Sequence, residues 1–283
     1  MSYQATAAEQ GNEIIQVMQY RARMYGFLAR MFEREVDQDY LGKLRVMHYP
    51  QSSENPLIND GFRTLYSFMR NARENVIDVL AIDYARAFLG SGILNGNAAF
   101  PYESVYTSEH ALIMQDARDQ VLATYRMHAV ALPDGWTDPE DHIALELDFQ
   151  RRLCERPILA INEGDHNLAR KLIEAQYAFL ELHLLNWVPN FCTDVERFAS
   201  TDFYKATAGL ARAFLADDEA LLEDIAQASG IDLHAAIATA RAADEAVSAE
   251  MAEEAAKDHL EPNVVIMPDD TVSPLEPRLA MED

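Results

Sequence analysis

Cysteine is almost missing from this chain. Cys154 and Cys192 stand alone, outside any C-x-x-C pair, so neither a disulfide framework nor a cysteine metal site is on offer. Both fall in apolar helical patterns, which predicts buried free thiols. Clustered positive charge is missing too. Against 47 Asp and Glu stand 23 Lys and Arg, a net charge of −24. Without grouped cations a phosphate backbone is not neutralised, and this excludes nucleic-acid binding. No run of about 18 apolar residues occurs, so no membrane span is expected. The opening residues MSYQATAAEQGNE have neither the basic start nor the apolar stretch of a secretory leader, and a cytoplasmic protein is expected. Alternating strand-like runs are absent, as is any internal repeat of about 30–45 residues, which argues against a helical solenoid.

What is present is a hydrophobic share of 49%, enough for a sizeable core. Ile14, Met18, Ala22, Tyr25, Leu28 and Phe32 recur at steps of three and four and predict a long first helix. Leu168, Leu172, Ala175, Phe179 and Leu182 repeat the pattern after Gly164–Asp165. Further helices are predicted at 38–47, 60–70, 73–89, 108–130, 139–155, 189–199, 201–216, 218–228 and 232–258. The fold class is therefore all-α, about ten helices in one domain over 1–230. A peripheral helical extension is expected over 231–260, and an acidic, proline-containing tail, mostly disordered, over 261–283. Within that tail VVIMP (Val264–Pro268) is an apolar patch expected to dock on the chain's own surface.

Two loops, Gly90–Tyr106 and Ala131–Asp138, are longer than idle connections need to be. The second leads into TDPEDHIALELDF (Thr137–Phe149). Asp138 suits a helix N-cap, Pro139 the first helical position, and Asp141 a capping partner. The helix then turns apolar on nearly every side, which places its start at the mouth of the core. His142 and Glu146, four apart, suggest a metal-dependent hydrolase at first sight. A zincin needs a second histidine where Glu146 stands, and no other cluster supplies the missing ligands. No metal, no cofactor and no catalysis are expected. Ligand recognition fits better. Asp141 and Glu140 offer carboxylates to guanidinium groups, His142 can pair with a peptide backbone, and Trp136, Tyr102, Tyr106 and Phe100 can form an aromatic wall. His128 falls among Val121, Thr124 and Tyr125 and reads as a core histidine, while Trp187 and Phe191 read as core anchors.

PYESVY (Pro101–Tyr106) followed by PEDHIALEL (Pro139–Leu147), with YARAFLG (Tyr84–Gly90) upstream and WVPNF (Trp187–Phe191) and FYKATAGLARAFL (Phe203–Leu215) downstream, resembles the TorD/DmsD family of cytoplasmic chaperones. The resemblance covers roughly Ile14–Leu222 and leaves the last fifth of the chain without a counterpart. It implies a protein that binds the twin-arginine leader, the apo form, or both, of a molybdopterin-dependent redox enzyme. The client would be held in the cytoplasm until its cofactor is inserted. It also implies that the residues matching Pro139, Asp141 and His142 help bind the leader, with Pro101–Tyr106 beside them. A NarJ-type role, on the catalytic subunit of a non-exported nitrate-reductase-like enzyme, is the alternative. Family members include dimers made by exchanging helices, for which Ala131–Asp138 would be the hinge, so monomer and swapped dimer both stay open.

Overall fold

In the computed structural model the described residues are 7–90 and 98–258. They form eleven α-helices. In order these are α1 (Ala7–Glu33), α2 (Gln38–Val46), α3 (Pro56–Asn71), α4 (Val76–Phe88), α5 (Glu103–Thr107), α6 (Asp116–Met127) and α7 (Ile143–Asn162). After them come α8 (His166–Phe179), continued by a π-turn (Leu180–Leu185), α9 (Val188–Phe198), α10 (Asp202–Ser229) and α11 (Leu233–Asp258). Among the described residues no strand forms, and extended backbone pairs only once, in an antiparallel bridge between Tyr102 and His142. The all-α expectation holds.

The predicted stripe of α1 is the buried one: Met18, Ala22, Tyr25, Leu28 and Phe32 all face inward. It lies along α7, whose start, Ile143–Leu147, is buried on every side. α10 packs against α3 and α9, and α8 against α7. Trp187, Phe191, Phe32, Phe88 and Tyr204 meet at edge-to-face and tilted angles in the middle. Both cysteines are buried free thiols. Pro157 sits inside α7 and has no N–H to give the carbonyl of Leu153 one turn back. Gln176 of α8 fills the vacancy, its Nε2 donating to that oxygen at 3.0 Å.

Several boundaries differ from the periodicity, among them α3, which starts at Pro56 rather than 60, and α7, which runs on to Asn162 rather than 155. The two helices expected at 201–216 and 218–228 are one. At the expected break Asp217 accepts from Asn55 at 2.6 Å and Asp218 is buried against Arg21. The helix expected over 108–130 begins at Asp116, because Ser108–Gln115 forms an ordered loop with positive φ at Ala111 and Met114. The helix expected from Pro139 begins at Ile143, for reasons that belong to the site.

The chain divides after Ser248 into a compact unit up to that residue and a second unit from Ala249. Of the second unit the end of α11 is described. Glu261–Asp283 with Val264–Pro268, and Ser91–Asn97 of the glycine-rich loop, lie outside the described residues. α10 stops at Gly230, whose φ of 62° is left-handed and whose N–H points back to the Gln227 carbonyl. Gly230→Ala should cost about 1 kcal/mol, read as a lower melting temperature, because only glycine enters that region without steric cost. An unchanged melting temperature would show that the turn tolerates another backbone.

Candidate functional site

α7 begins late because the residues before it are taken by another segment. Glu103 N–H donates to the Asp141 carbonyl at 3.0 Å and Ile143 N–H to the Pro101 carbonyl at 2.9 Å, which zips Pro101–Glu103 to Asp141–Ile143. The Asp141 side chain, fully buried, accepts from Ser104 N–H at 2.8 Å. It thus caps α5 rather than α7. The N-cap of α7 is His142, whose Nδ1 accepts from Ala144 N–H at 3.1 Å. Asp138, the expected cap, stands on the surface and accepts from the Tyr102 hydroxyl at 3.2 Å.

An imidazole that accepts at Nδ1 carries its proton on Nε2. Burial holds the ring neutral, lowering its pKa to about 3. Trp136 and Tyr102 flank it edge-on, each ring centre 5.3 Å away. Trp136 Nε1 donates to the Asp138 carbonyl at 2.8 Å, closing the loop over the histidine. Beside Trp136 a cavity of about 410 Å³ opens between α1 and α7, walled by Pro133, Ala144 and Leu145 and rimmed by Arg30, Asp148 and Arg151.

Of the residues picked from sequence, the structure brings together Tyr102, Trp136, Pro139, Asp141 and His142. Pro139 joins through its carbonyl, which accepts from His142 N–H at 3.3 Å. Glu140 turns aside, gripped by Arg118 at 2.5 and 3.0 Å, a pairing that keeps its carboxyl below the usual range. Tyr106 lies over Trp187 and donates to Asp194 at 3.2 Å. The side chains of His142 and Glu146 do not pair with each other: the first accepts from Ala144 N–H and the second from Trp187. Among the described residues no three His, Cys, Asp or Glu side chains converge as metal ligands. His128 is half-buried, not a core residue. It packs 5.7 Å from Phe149 at the edge of a cavity of about 380 Å³ between α6, the π-turn and α11.

Beneath the loop is a polar node that the sequence reading passed over. Glu103 accepts from Asn186 Nδ2 at 2.7 Å and pairs with His183 Nδ1 at 3.1 Å. The other face of His183 meets Asp244 of α11, Nε2 to Oδ2, at 3.5 Å. The two carboxylates outweigh burial and raise the histidine's pKa to about 9, so it is charged at neutral pH. Trp187 Nε1 bridges the His183 carbonyl at 2.7 Å and Glu146 at 3.0 Å. Burial, with the neighbouring charges of Glu103 and Asp141, pushes the Glu146 carboxyl well above its ordinary value. The signals were a glutamate inside the otherwise uncharged PYESVY and a histidine inside the greasy LELHLL.

A family model described as nitrate reductase delta subunit matches residues 55–193. That span holds α3 through the start of α9 and so includes every residue of the loop just described. The chain is 28% identical over 214 residues to the chaperone protein TorD of Vibrio cholerae serotype O1, which covers 73% of this chain and 94% of that protein. It is 28% identical over 217 residues to the chaperone protein TorD of Photobacterium profundum, covering 74% and 97%. With the corresponding protein of Aliivibrio fischeri the identity is 27% over 213 residues, covering 72% and 95%. About a quarter of the chain has no counterpart in these relatives.

Proposed function

We propose that the chain is a chaperone of the TorD kind, which binds the twin-arginine leader of a molybdopterin-dependent redox enzyme and detains the apo form until its cofactor is in place. The observation that supports a peptide site at the Trp136–His142 loop is the pairing of a rigid foundation with a half-open aromatic surface on an acidic chain. Asp141 and His142 are buried and hold the loop, so they act as positioning residues. The half-exposed rings of Trp136 and Tyr102, with the half-buried Pro139 of the same loop, present the surface to the peptide. Asp134 and Asp138 lie exposed beside them and carry the charge that arginines seek. Glu140 and Tyr106 form the flanks. Apolar burial supplies most of the affinity, and the acids set orientation and sensitivity to salt. The mechanism is occupancy without bond-making, and affinity stays moderate because a flexible leader is ordered on binding.

Calorimetric titration with synthetic twin-arginine leaders at two salt concentrations tests this. One leader should bind at micromolar strength or better, and more weakly in high salt. Trp136→Ala should weaken that binding roughly tenfold or more. Silence from every leader, with binding to an apoenzyme lacking its leader, would reject the leader reading in favour of a NarJ-type role.

A further inference from the structure

We propose that the tip Leu112–Ile113–Met114 is the landing surface for the apolar middle of the leader; this rests on the leader-binding reading above. These three are the only consecutive large apolar residues exposed together among the described residues, at 53, 48 and 57%. Scattered exposed leucines need no explanation, but an apolar run at the end of an ordered loop does.

The loop is built rather than slack. Leu112 N–H donates to Ser108 Oγ at 3.2 Å, Gln115 Nε2 to the Ile113 carbonyl at 2.9 Å, and Ala111 N–H to the Ser108 carbonyl at 3.3 Å. Ala111 and Met114 take positive φ of 50° and 58°, a conformation that side-chain-bearing residues avoid unless the surroundings impose it. What the contortion achieves is outward display of three apolar side chains on a fixed turn. A surface already shaped for its partner loses little freedom on binding.

The tip is also continuous with the candidate site through one residue. Ser104 Oγ accepts from Gln115 N–H at 3.1 Å, closing the tip, while Ser104 N–H is the donor that holds Asp141 at 2.8 Å. Arg118, at the start of α6, is tied to Glu140. Both ends of the tip are therefore anchored to the segment that carries Trp136 and His142. The charges decide which partner fits. Glu109 and Asp116 flank the tip on the surface, and the nearby cation, Arg118, is consumed by Glu140 and Asp119. Apolar side chains between acids suit a peptide with an apolar run beside cationic residues. They do not suit an anionic membrane surface, nor a second copy of a chain carrying −24.

The test is a double-mutant cycle on the full chain. One arm carries Leu112→Ser, Ile113→Ser and Met114→Ser together; the other uses a leader whose apolar middle is replaced by serine with its arginines kept. Exposed positions leave the fold intact, which circular dichroism checks. The triple variant should bind the natural leader at least roughly tenfold more weakly with an unchanged salt dependence, and the serine leader should lose little more on it than on the wild type. Equal binding of the natural leader by triple variant and wild type overturns the proposal while leaving the leader reading intact. Independent, additive losses overturn it as well. Failure of the wild-type chain to bind any leader overturns both.

Discussion

Asp218→Ala is expected to remove about 3–5 kcal/mol of stability in chemical denaturation. Asp218 and Arg21 have no exposed side-chain surface, and the guanidinium meets the carboxylate at two points, 2.5 and 2.8 Å. Tyr25 adds its hydroxyl to the same carboxylate at 2.6 Å. A further guanidinium nitrogen reaches Gln176, and Gln176 in turn holds the carbonyl that Pro157 leaves free. One network therefore ties α1, α7, α8 and α10. Without Asp218 the arginine keeps its charge in the core, since the group does not deprotonate in proteins. Against a total stability of roughly 5–15 kcal/mol that loss is severe. The half-exposed pair Arg212–Glu196 makes the contrast, because Glu196→Ala should cost under about 1 kcal/mol. A loss at Asp218 no larger than at Glu196 would show that the buried network is dispensable.

The second large effect is on pH. The pKa of His183 is raised in the folded state to about 9 by Glu103 and Asp244. Its contribution is fully present below its unfolded value near 6.5 and is lost as pH rises through 9, roughly 3 kcal/mol in all. Glu146, also raised, works in the same direction. His142 does the reverse. Lowered to about 3 by burial, it contributes stability above pH 6.5 that is lost as pH falls toward 3. Stability should therefore decline as pH rises above 6.5 and again as it falls toward 3. Urea midpoints at pH 6.5 and 9.5 measure the alkaline arm, and His183→Gln should flatten it. If wild type and variant lose the same amount between those two values, the histidine is not the responsible group.

How much of this was legible depended on how locally each feature is encoded. The α1 stripe is a one-helix pattern set by burial of one face, and it read correctly down to Phe32. The apolar body of α7 and the anchors Trp187 and Phe191 read correctly for the same reason. Asp218 did not, because an acid in a helix reads as solvent-facing unless its partner, 197 positions away in sequence, is known. The start of α7 failed similarly. Asp138 and Pro139 form a good local capping signal, but pairing with Pro101–Glu103 takes the backbone of Asp141 and Ile143, and tertiary contact overrides propensity. At the site, the aromatic and DH residues were visible as chemistry, whereas their division into buried supports and exposed surface was not. Leu112–Met114 was hidden inside a predicted helix, since nothing local announces that an alanine and a methionine will adopt positive φ.

The π-turn at Leu180–Leu185 carries one residue more than an α-helix would use for the same stretch. Each residue advances a helix by about 100°, so that surplus sets the phase of everything after it. It is what turns Asn186 toward Glu103 and the Trp187 indole toward Glu146. A chain shorter by one residue here would keep a sound helix, the same composition and nearly the same core. Its polar node would be dismantled by rotation alone. The geometry under the Trp136–His142 loop is thus encoded in a length, a kind of information that no residue-by-residue comparison of side chains displays.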